Sequence, residues 1–355
     1  MPPRKKTAAA TKTAAAPGPA DLMAAINKQF GAGAVQMASD DDLVVKRWPT
    51  GVLPIDVLLD GGIPRGRFIE VYGPYSTLKS YWLYKALGAV QRQGGKVALI
   101  DTEHSFDPEW AEQLGIDVKH LMISRPEVAE QGIGVMEALI RQRYDLVGFD
   151  SIAAAIPRQH QEVAPGDDTQ PGALARVMSK GLARLNAANR HTSAIFINQT
   201  RQKIGVSFGS PVTTSGGLAM QFYASYRMSF RRSGKITETI KAWDGTAEVE
   251  GKRVLAHKIV ATLEKSKLSA PHQDTHFTYD LTTGEVDDVG FLIAQGLDRG
   301  MITKTSGGHW DIPDVLEKPV HGREKFDAWV RETPEVIEWL RDQILPQHVL
   351  ATAAV

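Results

Sequence analysis

The octapeptide at residues 73–80 places a lysine and a serine at the spacing of a phosphate-binding loop. It follows an apolar run and reads Gly73, Pro74, Tyr75, Ser76, Thr77, Leu78, Lys79 and Ser80. In a G-x-x-x-x-G-K-[ST] loop, backbone N–H groups surround the phosphates, the lysine reaches the β- and γ-phosphates, and the hydroxyl binds Mg²⁺. The pattern has one mismatch, because Leu78 stands where the second glycine is expected. The octapeptide predicts a nucleotide and Mg²⁺ site, against the alternative of a plain turn between a strand and a helix.

Two acidic residues stand at or just after later apolar runs. Asp150 ends the run at 145–150, and Glu103 follows the run at 97–101. Ligands of open α/β sheets bind at the carboxyl ends of the strands, where a carboxylate can hold Mg²⁺ or orient an attacking water. The alternatives are a turn or helix cap for Asp150 and a solvated loop acid for Glu103, which is the commoner role of such acids.

The segment at 199–217 is rich in glycine and contains no acid, but it carries Arg201, Lys203 and Phe208. Glycines allow a close approach to phosphates, cations neutralise them, and apolar side chains can insert between bases. The segment is therefore predicted to be a long loop that binds a polyanion. A lid over a small ligand is compatible with the same residues.

The elements that position these residues follow an alternating pattern. Strands are predicted at residues 67–72, 97–101, 121–124, 145–150 and 193–198. Helices are predicted at residues 79–93, 107–115, 129–143 and 173–189. Three β-rich runs are predicted to extend the sheet with antiparallel strands, at 226–232, 254–262 and 276–279. The alternation predicts an α/β fold with a mostly parallel, twisted sheet covered by helices.

The two ends of the chain differ in composition from the centre. Residues 1–20 carry four basic residues and no acid and are otherwise mostly Ala, Thr and Pro, which predicts a disordered basic tail. The tail would attract DNA weakly or serve only as a solubilising extension. Residues 285–355 combine short helical patterns with Trp310, Trp329 and Trp339, which predicts a small α/β domain with the tryptophans in its core.

The composition of the 355-residue chain limits the function classes. Lys plus Arg and Asp plus Glu both number 41, so the net charge of zero gives no indication of nucleic acid. The absence of cysteine excludes disulfides and thiolate metal sites and fits a cytoplasmic protein. No apolar run approaches the roughly 20 residues that cross a bilayer, so no membrane partner is expected.

Several ordered motifs over nearly the whole chain resemble the RecA family of strand-exchange recombinases. The similar segments are 26–31, 72–74, 100–104, 107–108, 147–151, 195–201, 203–206, 208–209, 213–217 and 222–225. The resemblance implies a RecA-like ATPase core at 51–284, a docking segment for the neighbouring protomer at 21–50, and a small DNA-gathering domain at 285–355. It also implies a filament in which ATP lies between protomers and controls the affinity for DNA.

The resemblance assigns roles in the nucleotide site by position. Lys79 and Ser80 hold phosphate and Mg²⁺, Glu103 polarises the water, and Asp150 supports the metal. Asp107 and Trp110 match the family's adenine contacts, and Gln199 matches its γ-phosphate sensor. Lys265 and Lys267 match a pair that reaches the neighbouring protomer's nucleotide. By sequence alone, the lysine pair would be read as two exposed residues on one strand face.

For DNA, the resemblance implies a first loop at about 158–172 and a second at 199–217. The positions that match backbone contacts are Arg176, Arg201, Lys203, Gly216 and Gly217. Ile204 matches an apolar wedge between base triplets, whereas Pro171 stands where the first loop would supply a methionine. The last residues, 345–355, lack the acidic tail of many bacterial members.

The function implied is a DNA-dependent ATPase that forms filaments on single-stranded DNA and pairs it with homologous duplex. Leu78 motivates the alternative of an ATP-switched coating protein with negligible hydrolysis. Phage recombinases of the same superfamily can also place a bulky residue before the lysine, so we expect Leu78 to slow turnover rather than abolish binding. The docking segment and the second loop argue against a hexameric motor.

Overall fold

The computed structural model describes residues 18–40, 43–162, 172–202, 212–243 and 248–345. The chain divides into two compact units, at 1–45 and 46–355. In the first unit, helix α1 spans Pro19–Phe30 and begins with a proline in its first turn, where the missing N–H costs nothing. The Asn27 side chain then donates to and accepts from the backbone of Val35, at 2.9 Å each, which ties the following turn to the helix.

The second unit contains the sheet and the remaining helices. Its helices are α2 Leu53–Leu58, α3 Lys79–Arg92, α4 Pro108–Gln113, α5 Ala129–Arg141, α6 Arg158–Gln161, α7 Ala173–Ala188, α8 Ala219–Tyr223, α9 Asp288–Asp298, α10 Arg323–Glu332 and α11 Pro334–Ile344. Its strands are β1 Arg47–Trp48, β2 Ile63–Pro64, β3 Phe68–Gly73, β4 Val97–Asp101, β5 Met122–Ser124, β6 Leu146–Asp150, β7 Ser193–Gln202, β8 Val212–Thr214, β9 Tyr226–Trp243, β10 Glu248–Ser266, β11 Gln273–Asp280, β12 Glu285–Val286, β13 Thr303–Lys304, β14 His309–Asp311 and β15 Val320–His321. None of the helices within the described residues is long and apolar enough to cross a membrane.

The central sheet has the strand order β12-β11-β10-β9-β3-β7-β6-β4-β5, with β8 paired to β7. Neighbouring strands from β9 to β5 run parallel, whereas β10, β11 and β12 each run antiparallel to the preceding strand. The predicted α/β class and the mostly parallel sheet are therefore confirmed. The order places the ends of β3, β4, β6 and β7 close together at one edge.

The first of the three predicted antiparallel strands pairs differently from the prediction. Tyr226–Ser229 of β9 lie parallel to Ile69–Tyr72 of β3, because α8 carries the chain across the sheet before β9 begins. β9 and β10 are also much longer than predicted, at 18 and 19 residues, and pair with each other as an antiparallel ribbon. The antiparallel pairing of β9, β10 and β11 with one another is as predicted.

The glycine-rich segment at 199–217 is not a continuous loop. β7 continues through Gln202, and β8 pairs antiparallel with it, with Thr200 opposite Thr214. β-branched residues at 212–214 favour this pairing, so strand structure replaces loop at both ends of the segment. Residues 203–211 lie outside the described residues.

Alternate residues of the central strands supply two separate hydrophobic cores, one on each face of the sheet. Ile69 and Val71 of β3 pack with α3, whereas Phe68 packs with α5 and α7 on the opposite face. A third core joins α9, α10 and α11. Trp310, Trp329 and Trp339 pack against this third core, as predicted for core tryptophans. Helices therefore cover both faces of the sheet under the site.

Candidate nucleotide and DNA site

The loop at 73–80 connects β3 to α3, so its backbone lies at the carboxyl end of a fully buried strand. A Cβ atom at Gly73 would lie 2.2 Å from the carbonyl oxygen of Phe230, so only glycine fits this position. The hydroxyl of Thr77 and the Nζ of Lys79 both donate to the carbonyl oxygen of Pro74, at 2.9 and 2.6 Å. These bonds hold the lysine against its own loop. Burial lowers the pKa of Lys79, and the nearby Asp150 and Glu103 oppose this effect.

Leu78 adopts a left-handed backbone conformation, with φ 69° and ψ 19°, immediately before α3. Glycine takes this conformation at no steric cost, whereas an L-residue with a side chain costs roughly 1–2 kcal/mol. The side chain of Leu78 is half-buried against the core on the α3 face. The loop therefore keeps the backbone shape expected of a glycine and anchors it with apolar packing.

The hydroxyl of Ser80 donates to Oδ2 of Asp150 at 2.6 Å, which joins the start of α3 to the end of β6. Burial raises the pKa of Asp150 to about 6, although the Ser80 bond opposes this shift. Mg²⁺ prefers oxygen ligands and usually takes one or two protein groups, with phosphate and water completing its shell. Within the described residues no cluster of three or more acidic or histidine side chains offers an all-protein metal site. The Ser80 and Asp150 oxygens thus fit an ion that is shared with a bound phosphate.

Glu103 lies beside Asp150 and is held by two side-chain donors. The hydroxyl of Ser151 donates to Oε1 of Glu103 at 2.5 Å, and Nε2 of Gln199 donates to the same oxygen at 3.3 Å. Reciprocal bonds between Thr102 and Ser151, at 2.7 and 2.8 Å, fix the ends of β4 and β6 relative to each other. The structure therefore brings five predicted residues together from four parts of the sheet. Lys79 and Ser80 begin α3 after β3, Glu103 follows β4, Asp150 ends β6, and Gln199 lies within β7.

A cavity of about 400 Å³ opens beside the loop. Its lining residues are Ser76, Thr77, Leu78, Lys79, Ser80, Tyr81, Trp110, His257, Tyr279 and Leu281. Trp110 leans on Tyr84 of α3, with ring centroids 4.9 Å apart, and keeps 36% of its surface exposed. Asp107 caps α4, since its Oδ1 accepts from the backbone N–H groups of Glu109 and Trp110. A cap is the only role that the described contacts give Asp107.

Sequence reasoning missed four of the residues that line this cavity, namely Tyr81, His257, Tyr279 and Leu281. Tyr81 directly follows the loop in α3, whereas the other three come from β10 and from the β11 end, more than 170 residues after the loop. His257 stands directly opposite Tyr279 across the two strands. Only the alternating pattern of the predicted strands could have indicated which face they occupy, and it could not indicate that this face meets α3.

Lys265 and Lys267 do not line this cavity. The Nζ of Lys265 donates to the carbonyl oxygens of Gln221, Phe222 and Ala224, and the Nζ of Lys267 donates to that of Phe222 at 2.9 Å. Two cations at the carboxyl end of α8 satisfy its last carbonyls and suit the negative end of the helix dipole. Burial lowers the pKa of Lys265, and the nearby Lys267 adds to this effect.

The predicted DNA residues that the structure describes lie at the ends of the two proposed loops. Arg201, Gly216 and Gly217 line a cavity of about 460 Å³ together with residues 153–157 and Gly172. A Cβ atom at Gly217 would lie 2.7 Å from the Cβ of Ala175, so glycine allows close packing of the second loop on α7. Arg176 lines a neighbouring cavity along α7. Lys203, Ile204, Phe208 and Pro171 lie outside the described residues.

Comparison with known proteins places this site in a family. Residues 20–284 match the model of the RecA N-terminal domain. The chain is 40% identical over 329 residues to the protein RecA of Frankia casuarinae, covering 91% of this chain and 90% of that protein. It is likewise 40% identical over 329 residues to the protein RecA of Salinispora tropica, covering 91% and 89%. The chain belongs to the RecA family.

Among solved structures, the crystal structure of the RadB recombinase matches 67% of this chain and 98% of its own, at 21% identity and a TM-score of 0.49. Every site residue described above falls within the matched RecA residues 20–284. The missed wall residues therefore belong to the RecA region of the chain, together with the phosphate-binding loop.

Proposed function

We propose that this RecA-family ATPase binds ATP and Mg²⁺, assembles into a helical filament on single-stranded DNA, and exchanges that strand with homologous duplex. One contact carries the proposal. Gln199, which bonds Glu103, lies in β7, and the same strand continues through Arg201 towards the second DNA loop. A change at the phosphate end of the nucleotide would therefore act on the strand that leads to the DNA.

Each residue of the nucleotide site has a distinct task in this proposal. Lys79 leaves the Pro74 carbonyl and binds the phosphates, and backbone N–H groups at the start of α3 add their positive dipole. Ser80 and Asp150 would hold Mg²⁺, which neutralises developing charge on the phosphates when it is bound. Trp110 and Tyr279 enclose the base with their rings.

Glu103 acts as the general base that orients and deprotonates the attacking water. Ser151 and Gln199 both donate to Oε1, so they hold one carboxylate oxygen in place and leave the other available to the water. Gln199 would exchange its bond to Glu103 for one to the γ-phosphate. This exchange gives the glutamine its role as a sensor.

The lysine pair supports a filament rather than a monomeric site. The side chains of Lys265 and Lys267 bond the carboxyl end of α8, and α8 follows the second DNA loop directly. We infer that in the filament they reach the nucleotide of the neighbouring protomer and stabilise its charge in trans, as an arginine finger does. Nucleotide binding by one protomer would thereby release α8 and the loop of the next.

Phosphate release with and without single-stranded DNA, followed by strand exchange, tests the proposal. We expect hydrolysis to be DNA-stimulated, to fall by about 10²–10⁴-fold in Glu103→Gln with ATP binding retained, and to be lost with binding in Lys79→Ala. Lys119→Ala, on an exposed lysine away from the site, serves as the control and retains full activity. Strand exchange that survives Lys79→Ala would contradict the mechanism. ATP-dependent coating of DNA without hydrolysis would point to the coating protein, which the RecA relatives do not favour.

A further inference from the structure

His257 is a polar residue in the wall of the nucleotide cavity, and the proposed mechanism leaves it without a task. It is half-buried in β10 and lines the cavity together with residues of the phosphate-binding loop, Trp110 and Tyr279. Its imidazole has no hydrogen-bond or ion-pair partner among the described residues. The ring therefore presents one donor and one acceptor to whatever fills the cavity.

The sheet order places His257 on the side of the cavity that faces the nucleoside. Lys79 and Ser80 mark the phosphate end, because Ser80 bonds Asp150 at the end of β6. β10 lies four strands from β6, on the other side of β3. His257 is the direct cross-strand partner of Tyr279, whose ring meets Tyr81 of α3 with centroids 5.1 Å apart. The imidazole thus stands beside the aromatic wall and away from the metal-binding pair.

This wall is otherwise short of polar groups. Leu78, Trp110 and Leu281 contribute apolar surface, which suits the faces of a purine ring. Ligand pockets of this type combine an apolar lining with a few polar groups that fix the orientation of the ligand. A nucleoside that enters the cavity displaces water from the imidazole, and it must replace the lost hydrogen bonds to bind well.

We propose that His257 hydrogen-bonds the ribose or the base edge of the bound nucleotide and so contributes to recognition of the nucleoside. The inference rests on the proposed nucleotide site, and it adds a specificity residue to that site. His257 touches neither the phosphates nor the hydrolytic water in this assignment. Its loss should therefore weaken binding of a nucleotide but leave binding of a phosphate chain unchanged.

Titration calorimetry of the full chain with Mg²⁺, using ADP and then pyrophosphate as ligands, separates these contributions. We expect His257→Ala to weaken ADP binding by about three- to tenfold, the effect of one lost hydrogen bond, with pyrophosphate binding unchanged. His257→Gln keeps a donor and an acceptor and should recover part of the loss. His276→Ala is the matched control, because His276 is exposed and stands on the opposite face of β11 from Tyr279.

The outcomes distinguish this inference from the proposed function. Wild-type affinity for ADP in His257→Ala would overturn the role of His257 and leave the nucleotide site intact. Equal weakening of ADP binding and pyrophosphate binding in His257→Ala and His257→Gln would also overturn it, because His257 would then support the fold of the loop. A wild-type chain that binds neither ligand would overturn the nucleotide site itself. Comparing ADP with 2′-deoxy-ADP in His257→Ala and wild type identifies a contact to the 2′-hydroxyl.

Discussion

Leu78 occupies the position of the phosphate-binding loop where the pattern has glycine, and it adopts the backbone conformation that glycine would take. Its left-handed backbone, with φ 69°, is the conformation that the loop needs before α3. Two opposing terms decide its effect on stability. The backbone conformation costs roughly 1–2 kcal/mol, and half-burial of the leucine side chain against the core offsets part of this cost.

A pair of substitutions at Leu78 separates these two terms. Leu78→Ala and Leu78→Gly both remove the apolar packing, but only alanine retains the left-handed cost. We expect the glycine variant to be more stable than the alanine variant by about 1 kcal/mol in urea unfolding, which reverses the usual order of these residues in a helical region. A glycine variant that is the less stable of the two would show that the position does not require the left-handed conformation.

The same pair tests the effect of Leu78 on turnover. Glycine at this position removes bulk from the cavity wall while keeping the loop shape, so ATP binding should persist and hydrolysis should rise. Phosphate release at saturating ATP measures this effect. An unchanged rate would mean that the leucine is neutral for catalysis and serves only to anchor the loop.

At the residue scale, the reactive side chains and Trp110 could be predicted from the sequence, but the wall residues from β10 and β11 could not. Lys79, Asp150 and Glu103 stand at strand ends, and strand ends converge in a parallel sheet. His257 and Tyr279 converge on them only because β9 and β10 form a long ribbon and β9 lies next to β3. That adjacency depends on the crossover through α8, which no local pattern encodes.

At the element scale, close packing of the second loop on α7 depends on Gly217. The residue has φ 76°, and a Cβ atom would meet the Cβ of Ala175 at 2.7 Å. Gly172, at the start of α7, has nearly the same φ of 77° but no atom within 4 Å of a Cβ. The two glycines therefore share the backbone requirement and differ only in the steric contact.

Alanine at each of these glycines should measure the contact between the loop and the helix. We expect Gly217→Ala to destabilise the chain by about 1 kcal/mol or more beyond Gly172→Ala, since both pay the left-handed cost and only one pays for overpacking. Affinity for single-stranded DNA should fall further in Gly217→Ala, because β8 and α8 would shift away from α7. Equal losses in both variants would contradict a role for the contact.

The elements themselves were predictable where one pattern dominated the local sequence. The sequence predicts β4 at its observed bounds, Val97–Asp101, because four apolar residues and a terminal acid follow the double glycine at 94–95 and Lys96. The ends of the segment at 199–217 were predicted as loop because glycine, cations and polar residues outweigh its short β-branched runs. Pairing between Thr200 and Thr214 is a cooperative property of two strands that meet in space, so the composition of either end could not indicate it.

At the scale of the whole molecule, two carboxyl groups, the buried Asp56 and the partly buried Asp288, make stability depend on pH. Burial raises the pKa of Asp56 to about 7 and that of Asp288 to about 6, and the charge of Asp288 adds to the shift at Asp56. Oδ1 of Asp288 is buried and accepts no hydrogen bond from the described residues. The two acids lie in α2 and α9, which both contribute to the third hydrophobic core.

The sign of this dependence follows from the raised pKa values. The folded chain binds the protons of these two carboxyl groups more tightly than the unfolded chain does. The stabilisation of the fold by protonation is therefore complete below pH 4 and is lost as pH rises through about 6–7. Asp288→Asn should therefore lose less stability than wild type between pH 4 and pH 7, by on the order of 1 kcal/mol in urea unfolding. Asp298→Asn, an exposed acid at the other end of α9, should leave the pH profile unchanged. Parallel profiles for Asp288→Asn and wild type would rule out a buried charge at this position.

The neutral chain must bind DNA through local charge, and this requirement fixes how its affinity responds to salt. Net charge is zero, so long-range attraction of the whole molecule to DNA is absent, and binding depends on cations brought to the loops. Each phosphate neutralised releases counterions, so the logarithm of affinity for single-stranded DNA should fall linearly with the logarithm of salt concentration.

Arg201→Ala removes one of the cations that bind phosphate, so it should reduce the slope of this salt dependence by about 1 and weaken binding to all sequences alike. Lys119→Ala, which removes a positive charge at the opposite end of the strands, should leave the slope unchanged. Fluorescence anisotropy of a labelled oligonucleotide over a salt series measures both slopes, and a flat response in the wild type would exclude phosphate contacts as the source of binding.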